Sequence, residues 1–162
     1  MYLSKLKIFF GILIVLSVSR FIPHPPNFTS LIALSFYIPA FFGLKYIFLV
    51  LVAFIFTDIL IGFHTLILFT WGSVFFIGLI SKFFNNNFKI RITGTFLSCF
   101  IFFIISNFGV WINGFYGYTF EGLINCYTLA LPFFGQTLSS TILYALIIEA
   151  IFVLYKFKIL KT

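Results

Sequence analysis

Apolar residues fill this chain in long blocks, and only short polar stretches separate them. The blocks predict helices over residues 5–22, 28–43, 46–62, 65–81, 92–111 and 137–155. A further apolar segment, 122–134, contains Pro132 and is too short to span a bilayer; it is expected to lie at the interface or to re-enter. The pattern therefore predicts an all-α, polytopic membrane protein. It would be a bundle of six transmembrane helices forming one integral membrane domain over residues 1–162.

The breaks carry as much information as the blocks. Three of the five prolines fall in Arg20-Phe21-Ile22-Pro23-His24-Pro25-Pro26-Asn27-Phe28-Thr29. Proline has no N–H to donate and disfavours helix in the residue before it, so helix 1 must end here. The second helix is then short, about 24 Å at 1.5 Å per residue, against roughly 30 Å of hydrocarbon. The shortfall predicts that the Pro-rich loop enters the membrane boundary. Irregular backbone is tolerated at that depth only against protein or a water-filled cavity. Two other loops stand out: the strongly polar stretch 82–91, and the Gly/Tyr/Asn-rich stretch 112–121.

Composition agrees with lipid as the main solvent. The chain is 62% hydrophobic and 8% charged, with a mean hydropathy of +1.21, whereas about a quarter of the residues of a soluble domain are charged. A net charge of +7 would suggest nucleic acid in a soluble protein. Here the basic residues sit between apolar spans and read as topology signals, so no nucleic-acid partner is expected. Lys5 and Lys7, Lys45, Lys82 with Lys89 and Arg91, and the tail lysines fall on one side if six helices alternate; Arg20 falls on the other. The positive-inside rule then places both termini in the cytoplasm. The start has the look of a signal peptide, ending at Ser17-Val18-Ser19. Because the apolar run continues toward Ile22 and more spans follow, helix 1 is expected to be retained. Cys99 and Cys126 form neither a disulfide framework nor a zinc spacing.

That topology gathers the chemistry on the outer side. Arg20, His24, Asn27, Asp58, His64, Asn107, Trp111, Tyr116, Glu121 and Cys126 are the candidate substrate-binding residues. Asp58 lies inside a span, where an ionisable group is costly and faces a partner or a cavity. Arg20 is its partner by charge and depth, and a structural pair and a ligand-facing pair both remain open. Asn107 and Trp111 share a helix face at i, i+4. Trp111, Tyr116 and Tyr118 suggest either a stacking platform for a planar, vitamin-like solute or an interfacial aromatic belt. His24, His64 and Cys126 have no metal-ligand spacing, so neither a metal nor a cofactor is expected. Glu149, in the inner part of the last helix, is expected to pair with a basic residue such as Lys45 or Arg91. The chain has no GxxxxGK[ST], HExxH or GxSxG, and no enzymatic activity is expected.

Several stretches together carry a resemblance. They are Arg20-x-x-Pro23-His24-Pro25-Pro26-Asn27-Phe28-Thr29, Asp58-x-x-x-Gly62-x-His64, Ser106-Asn107, and Gly122-Leu123-x-x-Cys126-Tyr127-x-x-Ala130-x-Pro132-Phe133-Phe134. The chain resembles a bacterial family of small membrane proteins of unknown function described as transport proteins (DUF6580). That family in turn looks like the substrate-binding S components of energy-coupling factor transporters. The resemblance implies six helices, both termini inside, and a small-molecule solute bound near the outer surface. It also implies work with a transmembrane coupling subunit and two ATPases. A non-transporting membrane scaffold of the MreD-like six-span type is the alternative. An outer cavity lined by Asp58 and Asn107 would favour transport, and a solid outer core would favour the scaffold.

Overall fold

A computed structural model of the chain describes residues 2–160, with side chains from 5 to 155. Six helices follow one another: α1 (Tyr2–Phe21), α2 (Leu31–Phe42), α3 (Ile47–Ile61), α4 (Ile67–Ile80), α5 (Phe88–Ile112) and α6 (Phe120–Leu160). Single 3₁₀ turns, Leu44–Tyr46 and Ser81–Phe84, precede α3 and follow α4. Four stretches are long and apolar enough to cross a membrane: Leu44–Ile61, Ile67–Phe84, Phe88–Ile112 and Phe120–Tyr155. The chain thus has the build of a membrane protein. The tail lysines Lys156, Lys158 and Lys161 lie outside the described side chains.

The short helix is the central one. α2 packs against α3, α4, α5 and α6, while α1 packs on α3. Almost all of α2 is buried, from Leu31 through Tyr37. Its twelve residues reach only about 18 Å. Two core clusters flank it. One joins Ile12 and Leu16 of α1 to Leu34, Val50 and Val74. The other joins Phe36 and Tyr37 to Ile77, Cys99 and Ala145.

The packing reverses the soluble pattern. Large apolar side chains such as Phe10, Ile14, Phe48, Phe56, Phe76 and Leu143 face outward, where lipid is as good a neighbour as protein. The buried faces are small or hydroxylated: Ser73 and Gly78 on α4, Gly94 and Ser98 on α5, Ser140 and Ala145 on α6. Small residues let helix backbones approach closely. Their hydroxyls need no water, because they donate back along their own helix. Ser98 bonds the Gly94 carbonyl at 2.8 Å, and Ser140 bonds that of Thr137 at 2.9 Å. Gly78 and Gly94 show how close the packing is: a Cβ would overlap Ile47 Cδ1 at the first, and would stand 2.6 Å from both the Phe36 ring and Phe84 Cβ at the second.

The structure corrects two expectations. Arg91 does not belong to a polar loop. Asn87 caps α5, its side chain accepting from the Ile90 N–H at 3.0 Å, so Arg91 is buried in the first turn. Nor is 122–134 a separate interfacial segment. It is the first part of α6, an unbroken helix of 41 residues and roughly 60 Å. Proline removes one backbone donor without ending a helix whose neighbouring turns still bond.

Candidate functional site

The shortness of α2 leaves space above its first turn. A cavity of about 610 Å³ opens there, and Leu31 and Ile32 form part of its wall. The loop 22–30 folds over this space. The loop is pinned where it returns: Ser30 N–H donates to Ser19 Oγ at 3.1 Å, and the two hydroxyls stand 2.8 Å apart. Within the loop, Phe28 N–H bonds the Pro25 carbonyl at 3.0 Å. Asn27 takes the left-handed conformation (φ 61°), which a short polar side chain tolerates best among non-glycine residues. Ser140 Oγ of α6 lies 3.5 Å from the Asn27 carbonyl.

The cavity has an exposed mouth and a buried floor. His24, Asn27, His64 and Tyr116 line it with exposed side chains. Ile32, Phe54, Thr137, Ser140 and Thr141 line it from buried positions. Phe102, Phe103, Phe133 and Phe134 make an aromatic wall, in which Phe103 and Phe134 have ring centroids 5.0 Å apart. The two histidines present different groups. His24 donates Nδ1–H to the Pro25 carbonyl at 2.7 Å, which leaves Nε2 as the lone-pair nitrogen of the neutral ring. His64 Nδ1 accepts from the Leu66 N–H at 3.2 Å, so its Nε2 carries the proton.

Arg20 reaches the cavity wall at the end of α1, held from behind. Its Nη1 donates to Thr57 Oγ1 at 2.5 Å, and its guanidinium lies 4.8 Å from the centre of the Phe54 ring. Its Nη2 stands 2.6 Å from Asp58 Oδ1. That contact lacks hydrogen-bond alignment, so the attraction is chiefly Coulombic. Asp58 Oδ2 accepts from Trp71 Nε1 at 2.7 Å. Only 1% of the Asp58 side chain is accessible, against 14% for Arg20. Asp58 is therefore not in the cavity wall; it orients the arginine that is. The network ties α1, α3 and α4 together.

Of the ten candidate residues, the cavity collects Arg20, His24, Asn27, His64, Asn107, Tyr116 and Cys126. Asn107 donates Nδ2–H to the Phe103 carbonyl at 2.8 Å, and Cys126 Sγ lies 3.4 Å from the Asn107 carbonyl. Asp58, Trp111 and Glu121 are outside the wall. Trp111 turns away to bond the Thr119 carbonyl at 3.2 Å, and Tyr118 is 73% exposed. The aromatic platform is thus not assembled, and Tyr116 alone of the three reaches the cavity. Among the described residues, no three His, Cys, Asp or Glu side chains cluster to hold a metal. Sequence reasoning missed the hydroxyl row Thr137, Ser140 and Thr141, although its i, i+3, i+4 spacing marks one face of α6.

The chain matches a family of unknown function (DUF6580) over residues 2–162. It belongs to that family. No curated protein and no solved structure matches it. Because the family match spans almost the whole chain, the cavity, its loop and the helices beneath it all fall within the shared family region.

The opposite end of the bundle holds a second charged cluster. Arg91 Nε and Nη2 donate to Glu149 Oε1 and Oε2 at 2.6 and 2.7 Å, a two-pronged pair joining α5 to α6. The guanidinium also lies 5.2 and 5.5 Å from the ring centres of Phe41 and Phe152. Of the two partners expected for Glu149, the structure selects Arg91 over Lys45.

Proposed function

We propose that this member of the DUF6580 family is a transport protein that binds a small solute from the outer side of a bacterial cytoplasmic membrane. The observation that carries the reading is the cavity. Its volume falls within the usual range for small-molecule sites, roughly 300–1,000 Å³. Its lining is also typical, mostly apolar and aromatic with a few convergent polar groups. In this reading six helices cross the membrane with both termini cytoplasmic. The end carrying Lys45, Lys82, Lys89 and Arg91 then faces inward, and the cavity, with Arg20 as its cation, faces outward. A space walled by α2, α5, α6 and the loop 22–30 favours solute binding over a non-transporting scaffold with a solid outer core; Asn107 lines it, while Asp58 stands behind the lining residue Arg20.

The similarity to S components of energy-coupling factor transporters belongs to the same proposal. A transmembrane coupling subunit and ATPases would supply energy that this chain has no motif to harvest. The test is native mass spectrometry of protein purified from cells grown in rich medium. A small molecule should come off on collisional activation. It should be lost from Ala130→Phe, which fills the buried part of the cavity. Purified wild-type protein that carries nothing, from cells whose uptake of labelled medium components is unchanged by deletion of the protein, would defeat the reading.

A further inference from the structure

We infer that the solute is an organic anion, with its acidic group seated at the start of α2 beside Arg20 and its apolar body against the phenylalanine wall. The inference rests on the solute-binding reading above and adds the sign of the ligand's charge.

The first argument is an inventory of the acids. The chain has three acidic residues in all. Asp58 sits behind Arg20 and is 1% accessible. Glu121 is exposed and outside the cavity wall. Glu149 is bound to Arg91 at the other end of the bundle. No carboxylate therefore lines the cavity, and an organic cation would enter a low-dielectric site with nothing to neutralise it.

The second argument is what does line it. The Arg20–Asp58 pair is neutral in sum, but it is oriented with the guanidinium toward the cavity and the carboxylate away. Thr57 and Asp58 engage only part of the five-donor fork, so further N–H groups of Arg20 remain. The first turn of α2 lies in the cavity wall at Leu31 and Ile32. The amides of Ile32 and Ala33 find no acceptor among the described residues, as first-turn amides do unless capped. Ser30, in the capping position, makes no side-chain cap. The open end of a helix carries a partial positive charge and favours an anion.

A third, independent observation points to a ligand. Thr141 is fully buried and belongs to the cavity lining, and its Oγ1 has no oxygen or nitrogen hydrogen-bond partner. The Cys99 thiol lies beside it, and a thiol is a weak hydrogen-bonding group. A buried hydroxyl is normally satisfied. An acceptor-rich oxyanion in the cavity is what a free O–H, free first-turn amides and a guanidinium have in common. The short α2 thus plays the part that interrupted helices play in other membrane carriers, with an open N-terminus aimed at an anionic solute group.

The test uses matched acids and amides of the same shape on the purified full-length protein in nanodiscs: phenylacetate against phenylacetamide, and indole-3-acetate against indole-3-acetamide. Isothermal titration calorimetry should show each acid binding at least about tenfold more tightly than its amide. Thr141→Val, which removes the hydroxyl and retains the shape, should weaken the acids severalfold and leave the amides unchanged. Arg20→Gln alone would strand the Asp58 charge, so the double variant Arg20→Gln/Asp58→Asn is the one to use; it should abolish the preference for the acid. Amides binding as tightly as acids would overturn the anion assignment and leave the cavity as a solute site. Binding of neither acids nor amides at millimolar concentration would overturn both.

Discussion

Breaking the buried pair at the end of the bundle away from the cavity should cost far more than deleting it. Arg91 is 7% exposed and Glu149 3%, and two short, parallel N–H···O contacts join them. In Glu149→Leu the guanidinium keeps only the Asn85 carbonyl, 3.4 Å from Nη1, and the rings of Phe41 and Phe152. Removing one partner of a buried pair typically costs about 3–5 kcal/mol, because the other charge stays buried and unpaired. Both rings and the Asn85 carbonyl still face the unpaired guanidinium, and a desolvated cation–π contact is worth about 2 kcal/mol, so the expected loss lies near the lower end, about 3 kcal/mol. Arg91→Met/Glu149→Leu removes both charges and replaces them with apolar groups of similar volume. Its stability should fall within about 1 kcal/mol of wild type; with Arg91→Met costing about as much as Glu149→Leu, the coupling energy is about 5–6 kcal/mol. The assay is SDS-induced unfolding in mixed micelles, followed by circular dichroism, on the two single variants and the double. If the double variant is as unstable as Glu149→Leu, the residues act through packing and the charge argument is wrong.

Three further outcomes are expected. Trp71→Phe removes the hydrogen bond to Asp58 Oδ2 and should destabilise by about 1–3 kcal/mol in the same unfolding assay; an unchanged midpoint would show that Asp58 finds another donor. Gly122→Ala should distort the loop 113–119, because a Cβ there would collide with the Tyr116 and Gly117 carbonyls at the start of α6. The readout is proteolysis within that loop, which should be faster than in wild type. Topology can be read by chemical labelling: His24→Cys should react with a membrane-impermeant maleimide on intact cells and Lys82→Cys only after lysis, and the reverse pattern would invert the bundle.

Some of this arrangement could be read from residues alone, for physical reasons. Helix positions follow from apolar blocks, because lipid demands long apolar helices whatever their partners. Arg20 with Asp58, and Arg91 with Glu149, were legible because a buried charge in such a chain needs an opposite one, and the chain holds few of either sign. Other features depend on local competition that composition hides. Asn85-Asn86-Asn87 reads as loop, yet its last residue is a good N-cap, and that signal would have moved Arg91 into α5. Pro132 reads as a break, but the helix on either side of it outweighs one lost donor. Asn107 and Trp111 do share a helix side, yet only Asn107 reaches the cavity. Trp111 is drawn off by a carbonyl eight residues on, and no spacing rule contains that contact.

The cavity persists because of where the ties lie. Two ion pairs join helices among the described residues, and neither crosses the cavity. At its own end, Arg20, Asp58 and Trp71 bind α1, α3 and α4 into one wall. The facing wall, α5 and α6, is clamped at the far end by Arg91 and Glu149. The hydrogen bond that spans the gap above α2 is the long one from Ser140 to the Asn27 carbonyl, 3.5 Å. Closing the space would require α2 to gain about two turns, and Pro25 and Pro26, which fall within those turns, cannot supply the amide donors they need. The hollow is thus fixed by the proline-rich sequence between α1 and α2. Its walls are held from outside, while the span across it carries only a weak neutral contact; under the solute-binding proposal, a bound solute would be the strongest link between the two halves.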